Sequence, residues 1–357
     1  MFNITVLTFV DRISCFYSLS PFLFNRDKRF SFTYTSDAAW CLENDRNSIL
    51  VMMRQFIKPD AVDIGLLERL RAKYDRIAFF HDDAGGGIPR LEALPHADLF
   101  YSKALFRDRA LYGRKLYGKE LYSDYYHEKY GVTDPDYRPR AVETDPAQLA
   151  KLRLSWNIGI GDYPRDQLRQ RAGVALSRMF GVPPVKLLYR KNRFDPERAL
   201  KNNKSLYPVH ARVGLISRPS ISYQRKLILD RIEGNPLFLT GRVPQARFNR
   251  EVANSRIILS PFGWGELCLR DFETVRSGAL LLKPDMGHIE TWPDIFVPGE
   301  TYVPFDWDAE ELAAKADYYL AHENERRGIA ENAAQVYAGA SGTVQERFSS
   351  IMEEICR

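Results

Sequence analysis

A chain of 357 residues, 45 % hydrophobic and 27 % charged, can bury two ordinary cores and lacks the composition of a disordered or low-complexity protein. Its 51 basic and 46 acidic residues leave a net charge of +5 without a dense basic stripe, so no nucleic-acid partner is expected. Cys15, Cys41, Cys268 and Cys356 show no C-x-x-C spacing, which predicts neither a zinc site nor a disulfide framework, and a reducing cytoplasmic location follows.

Residues 2–24 are aromatic-rich, but Asp11 and Arg12 interrupt them well short of the roughly 20 apolar residues that span a bilayer. They read as a first strand, over 3–10, and not as an export signal. Further strands are predicted over 48–53, 76–80, 97–102 and 153–156, with a helix over 66–74, where Leu67, Leu70 and Tyr74 share a face. Alternating strand and helix predicts a parallel α/β layer. The strand at 76–80 runs into His81, Asp82 and Asp83, followed by Gly85, Gly86 and Gly87. A histidine or carboxylate at the carboxyl end of a strand can act as general base, and the glycines let backbone approach a ligand. The bland alternative is an Asx-turn with helix capping. A metal-binding Asp-x-Asp is disfavoured because no residue separates the two aspartates, so no metal is expected.

Residues 101–130 interleave Lys103, Arg107, Arg109, Arg114, Lys115 and Lys119 with seven tyrosines. Such a mixture can hold a glycan, an anionic acceptor or a membrane surface, or be a solvated face with tyrosines tucked beneath it. Gly159 and Gly161 are too isolated to form a dinucleotide fingerprint. A helix is predicted over 167–180 and irregular structure over 181–207. A second parallel layer follows, with strands over 210–216, 237–240 and 256–259 and helices over 223–232 and 246–253. The loop carrying Arg218, with Arg225 and Lys226 just beyond it, joins its first strand to its first helix. The tail over 309–356 reads as helical.

The most informative stretch is 257–284. An apolar run ends at Ser260 and Pro261, breaks at Gly263 and Gly265, resumes with helical spacing and closes at Ser277 and Gly278 before a second apolar run. Read as one helix, it carries Phe272 and Val275 on an apolar face and Glu266, Arg270 and Glu273 on a polar one. Free amides after the glycines suit an anion, Arg270 could meet a phosphate, and Glu273 could accept hydrogen bonds from sugar hydroxyls. The alternative is an exposed ladder of ion pairs worth a few tenths of a kcal/mol.

The pattern Gly263-x-Gly265-Glu266, Arg270-x-x-Glu273, Ser277-Gly278-Ala279 and an apolar strand resembles the donor-binding segment of GT-B glycosyltransferases, especially the exostosin-like and group 1 families. The resemblance covers about residues 205–335. It implies that Glu273 grips the ribose of a nucleotide sugar, that Glu266 is the first glutamate of the segment, and that the diphosphate lies near Arg218, Arg225 and Lys226. It also implies that the loop bearing His288 closes near the sugar. Six residues separate Glu266 from Glu273, one fewer than the E-x7-E spacing of retaining members. Transfer with inversion, using His81, Asp82 or Asp83 as base, and transfer with retention both stay open.

The architecture implied is α/β, with two Rossmann-like domains facing a cleft and a C-terminal helix crossing back to the first domain. The divisions expected are 1–170 for acceptor binding, 171–207 as a link, 208–335 for the nucleotide-sugar donor, and 336–357 for the returning helix. The function implied is metal-independent transfer of a sugar to a glycan, lipid-linked or protein acceptor, with no cofactor. Peripheral membrane contact at the inner face would run through 101–130. Alternatives are a nucleotide-sugar epimerase or hydrolase of the same fold, or a non-catalytic sugar-binding module.

Overall fold

The computed structural model describes residues 1–10, 13–53, 62–82, 87, 89–118, 120–135, 137, 141–161, 166–189 and 194–357. They form two units. The first comprises Met1–Lys115, Ala141–Asn192 and Gly342–Arg357, and the second Leu116–Arg140 and Arg193–Ser341.

In the first unit β1 (Phe2–Leu7), β2 (Phe30–Thr35), β3 (Ile49–Met53), β4 (Arg76–His81) and β5 (Leu99–Ser102) precede the short β6 (Ala104–Phe106) and β7 (Leu152–Leu154). Six of them make a parallel sheet in the order β2-β1-β3-β4-β5-β7. The runs Ile49–Met53 and Ile77 to Phe80 are buried throughout, as strands covered on both faces must be. The edge strand β2, absent from the sequence reading, alternates aromatic and hydroxyl side chains. The final helix, Val344–Cys356, belongs to this unit, as its apolar spacing implies. It buries Phe348, Ile351, Met352 and Ile355, and its Glu354 accepts from Tyr101 at 2.6 Å and Arg153 at 2.7 Å.

The second unit contains β8 (Tyr207–His210), β9 (Phe238–Leu239), β10 (Ser255–Leu259), β11 (Leu280–Pro284), β12 (Ile289–Thr291) and β13 (Val303–Phe305). Its five-stranded parallel sheet has the order β13-β11-β10-β8-β9. Val209, Ile257, Leu259, Leu280 and Leu282 fill the core with Ile228, Leu312 and Ile329 from the helices. Both sheets therefore run second strand, first, third, fourth, fifth, and the chain holds two Rossmann-like layers. In this order the crossovers leave the first strand in opposite directions. A ligand crevice opens where they part, at the carboxyl ends of β8 and β10.

Two expectations are corrected. The strand predicted over 210–216 ends at His210, because β8 pairs β10 only as far as His210 opposite Ile258; the apolar residues beyond it are loop, and Leu215 and Ile216 are exposed. Residues 116–140, expected in the first domain, fold with the second unit. The helix Leu121–Tyr130 buries Tyr122 and Tyr126, and Tyr126 donates to the Trp307 carbonyl at 2.6 Å. Tyr130 reaches Asp308 at 2.8 Å, joined there by Tyr125 and Lys129. Within 116–130 the tyrosines thus mainly anchor a helix, which is the tucked-tyrosine reading; Lys119 lies outside the described residues. Among the described residues no helix is long and apolar enough to cross a membrane.

Helix Leu269–Ser277 stops at Gly278, whose φ of +74° is left-handed and whose absent Cβ would lie 3.0 Å from the Leu200 Cα. Only glycine meets both conditions without strain. Gly278→Ala should lower the stability of the second unit by about 1–3 kcal/mol, read as an earlier thermal or urea transition.

Candidate functional site

The loop from Ser260 to Cys268 and the helix after it sit at the carboxyl edge of the second sheet. Asp271, in the first turn of that helix, is fully buried. Its carboxylate accepts from the Ser260 hydroxyl at 2.5 Å, the Cys268 amide at 2.8 Å and the Lys283 ammonium at 3.0 Å. Burial raises the Asp271 carboxyl above the usual range, opposed by Lys283 and these donors. The end of β10, the helix start and β11 are thereby tied at one point. The sequence reading passed over both charges; the lysine in an otherwise apolar strand was the available signal.

The helix begins only at Leu269, so Glu266 is not on its polar stripe. It lies in the loop, wholly buried, with one oxygen 3.3 Å from His288 Nε2 and the other unpartnered. The Gly263 amide bonds the Gly265 carbonyl at 3.0 Å, so that amide is closed into a turn and not offered to an anion.

Arg225 and Arg270 meet at a cavity of about 250 Å³, lined also by Val213, Gly214, Ser260, Pro261 and Cys268. Those residues follow β8 and β10, so the cavity occupies the parting of the crossovers. Arg225 donates to the Gly214 carbonyl at 2.7 Å, while the Arg270 guanidinium lies 5.6 Å from the Phe248 ring centre. Among the described residues neither has a carboxylate within ion-pair distance. Burial lowers the pKa of both guanidiniums, yet they remain cations at neutral pH. Two half-buried cations beside the positive end of a helix suit an anion. Glu273, one turn beyond Arg270, is half-buried and makes no ion pair among the described residues. A second cavity, of about 690 Å³, shares Val213 and Gly214 with the first and continues along 229–236 and 240–242, where Asp230, Glu233, Thr240 and Arg242 are lining groups.

Arg218, expected at a diphosphate, is placed otherwise. It is buried between two carboxylates, donating to Glu120 at 2.5 Å with Asp134 at 3.3 Å, and it reaches the Tyr122 hydroxyl at 3.1 Å. Asp134 in turn accepts from the Ser220 amide and hydroxyl, both at 2.8 Å, capping the helix Pro219–Arg231. Tyr122 donates to the Gly263 carbonyl at 2.8 Å, and Gln224 accepts from the Phe262 amide at 2.8 Å. Tyr122 belongs to a helix that the sequence does not announce, Gln224 to the one expected over 223–232.

In the first unit His81 ends β4 and Asp82 follows it, both buried. Asp82 accepts from the Ser18 hydroxyl at 2.8 Å. Asp83 lies outside the described residues.

Over residues 212–353 the chain matches a family model described as "Glycosyl transferase-like". No curated protein matches. Among solved structures, the pneumococcal O-GlcNAc transferase GtfA, in complex with UDP and GlcNAc, is 11 % identical with a TM-score of 0.43, over 90 % of this chain and 60 % of that one. The UDP-forming α,α-trehalose-phosphate synthase of Burkholderia vietnamiensis is 12 % identical with a TM-score of 0.45, over 99 % and 100 %. HepE of Anabaena, in complex with UDP and glucose, is 11 % identical with a TM-score of 0.44, over 99 % of both chains. At these values the likenesses assign no residue and no ligand to this chain. The chain thus combines two Rossmann-like layers with a glycosyl transferase-like stretch over residues 212–353.

Burial pushes the Glu120 carboxyl up to about 7, with Arg218 pulling it down and Glu266 pushing it further up. The unfolded chain then ionises Glu120 near the ordinary glutamate value of 4.5 while the folded chain does not, so the contribution of this group to stability falls as pH rises to about 7 and is flat above. Glu120→Gln cannot ionise. The stability of the variant relative to the parent should therefore rise between pH 5 and pH 8 by on the order of a few kcal/mol, measured by urea unfolding at each pH. A difference constant with pH would show that Glu120 is ionised throughout.

Proposed function

We propose that the chain transfers a sugar from a nucleotide-sugar donor held by the second unit to a hydroxyl-bearing acceptor. The observation that carries this is the pair Arg225 and Arg270, two half-buried cations that have no carboxylate partner among the described residues, at the carboxyl edge of the sheet. In transfer, the bond from the anomeric carbon to the diphosphate oxygen breaks and the electron pair leaves with the diphosphate. A bond to the acceptor oxygen forms, and the acceptor's proton passes to a base or to the departing phosphate. The negative charge that develops is met by fixed guanidiniums and helix amides, which need no reorganisation when it appears. That arrangement supplies the charge that a divalent metal supplies elsewhere, which supports metal-independent transfer. Glu273 is the group available to ribose hydroxyls, and the adjoining larger cavity has the size and mixed lining for a nucleobase. Recognition of a glycan, lipid-linked or protein acceptor is assigned to the first unit, where His81 at the end of β4 and Asp82 just after it are candidate bases; Asp83 is a third candidate by sequence. Peripheral membrane contact through 101–130 would fit a lipid-linked acceptor.

A thermal-shift screen with UDP, GDP, dTDP, CMP and their common sugars tests the reading. A nucleotide at 100 times its Kd stabilises by about 2.7 kcal/mol, a rise of several degrees. The rise should occur with one nucleotide class, vanish in Arg225→Ala and Arg270→Ala, and shrink in Glu273→Ala. Arg218→Ala should instead lower the melting temperature of the unliganded protein, because it leaves Glu120 and Asp134 buried without their cation. No rise with any nucleotide would overturn the proposal.

A further inference from the structure

Trp264 stands at the tip of the glycine loop between Gly263 and Gly265, 61 % exposed. Its surroundings are otherwise fixed. The Gly263 carbonyl is held by Tyr122, the Phe262 amide by Gln224, and the Gly263 amide by the Gly265 carbonyl. Gln224 is itself held by Tyr126, 3.2 Å away. The backbone beneath this indole is thus pinned on three sides, although a tryptophan in solvent contributes nothing to the core. The Arg218 guanidinium lies 5.9 Å from the Trp264 ring centre, and Glu120 and Asp134 bind that guanidinium in turn. A cation against one face of an indole steadies the ring and leaves its opposite face available. Ser260, Pro261 and Cys268, at the two ends of the same loop, line the arginine cavity.

A rigid aromatic plane beside a diphosphate site suits one class of ligand group. The C–H face of a pyranose is apolar while its rim is hydroxylated, so it stacks on an aromatic ring and keeps its hydroxyls in water. We propose that Trp264 is the platform on which the glycosyl ring of the donor stacks, so that it determines affinity for the sugar and not for the nucleotide. This rests on the donor-site reading above. The Arg218, Glu120 and Tyr122 network then has a role in the site without touching the diphosphate: it holds the platform.

The test compares paired ligands by titration calorimetry on the full chain: UDP with UDP-glucose, GDP with GDP-mannose, and dTDP with dTDP-glucose. Wild-type protein, Trp264→Ala and Trp264→Phe are compared at equal melting temperature. For the pair that the wild type binds, Trp264→Ala should weaken the nucleotide sugar about tenfold and leave the nucleoside diphosphate within about twofold; Trp264→Phe should restore most of the loss. Equal weakening of both ligands, or of neither, would overturn the inference while the donor site stands. A weaker acceptor KM with unchanged donor affinity would move the platform to the acceptor and overturn it likewise. A wild-type protein that binds none of the six would remove the donor-site reading itself, and this inference with it.

Discussion

The contact between Lys283 and Asp271, 3.0 Å apart with both side chains withdrawn from water, is the constraint on which the second unit's site depends. A buried ion pair is weak evidence for stability, since taking two charges out of water offsets most of their attraction. Its consequence here is geometric. Asp271 also accepts from Ser260 at the end of β10 and from the amide preceding the helix, so strand, loop, helix start and neighbouring strand share one set of hydrogen bonds. Removing either charge would leave the other buried and unpaired, and the loop above would lose its floor. The positive end of the helix, Arg270 and the turn at Gly263 are all aimed from that point.

Cations in the unit follow two different rules. Arg218 and Arg212 are buried and matched: Arg218 by Glu120 and Asp134, Arg212 by Glu251. Arg225 and Arg270 are half-buried and unmatched among the described residues; desolvation lowers the pKa of both, and the charge of Arg225 lowers that of Arg270 further. Matched cations hold segments together; unmatched ones are a standing demand for an anion. The distinction separates the cations that hold the second unit together from those left for a ligand, and the proposed transfer accordingly places the diphosphate at Arg225 and Arg270 and not at Arg218. Such a site would serve glycosyl transfer because the charge to be stabilised is that left on the departing diphosphate.

Much of this was legible in the sequence, and the exceptions have physical reasons. Alternation of apolar runs with helical spacing announced both parallel layers, and Phe348, Ile351, Met352 and Ile355 announced the returning helix, because these patterns record burial directly. Gly263, Gly265 and the helix from Leu269 were visible as punctuation. The start of that helix was not, since Asp271 caps it from inside and no serine or aspartate stands at the cap. The pairing of Arg218 with carboxylates was hidden because its partners, Glu120 and Asp134, lie 98 and roughly 84 positions away in a segment that folds with the second unit. Tyr122 was hidden equally well: a tyrosine among basic residues reads the same whether it faces water or supports a loop. Long-range polar matching leaves no periodicity to read.

A crystal structure of the protein with the nucleoside diphosphate that stabilises it would decide where the anion binds. The diphosphate should lie between the Arg225 and Arg270 guanidiniums at the start of the helix Leu269–Ser277, with Arg218 still bound to Glu120 and Asp134. A diphosphate lying instead against Arg218, with its ion pairs broken, or bound away from the carboxyl edge of the second sheet, would contradict that placement.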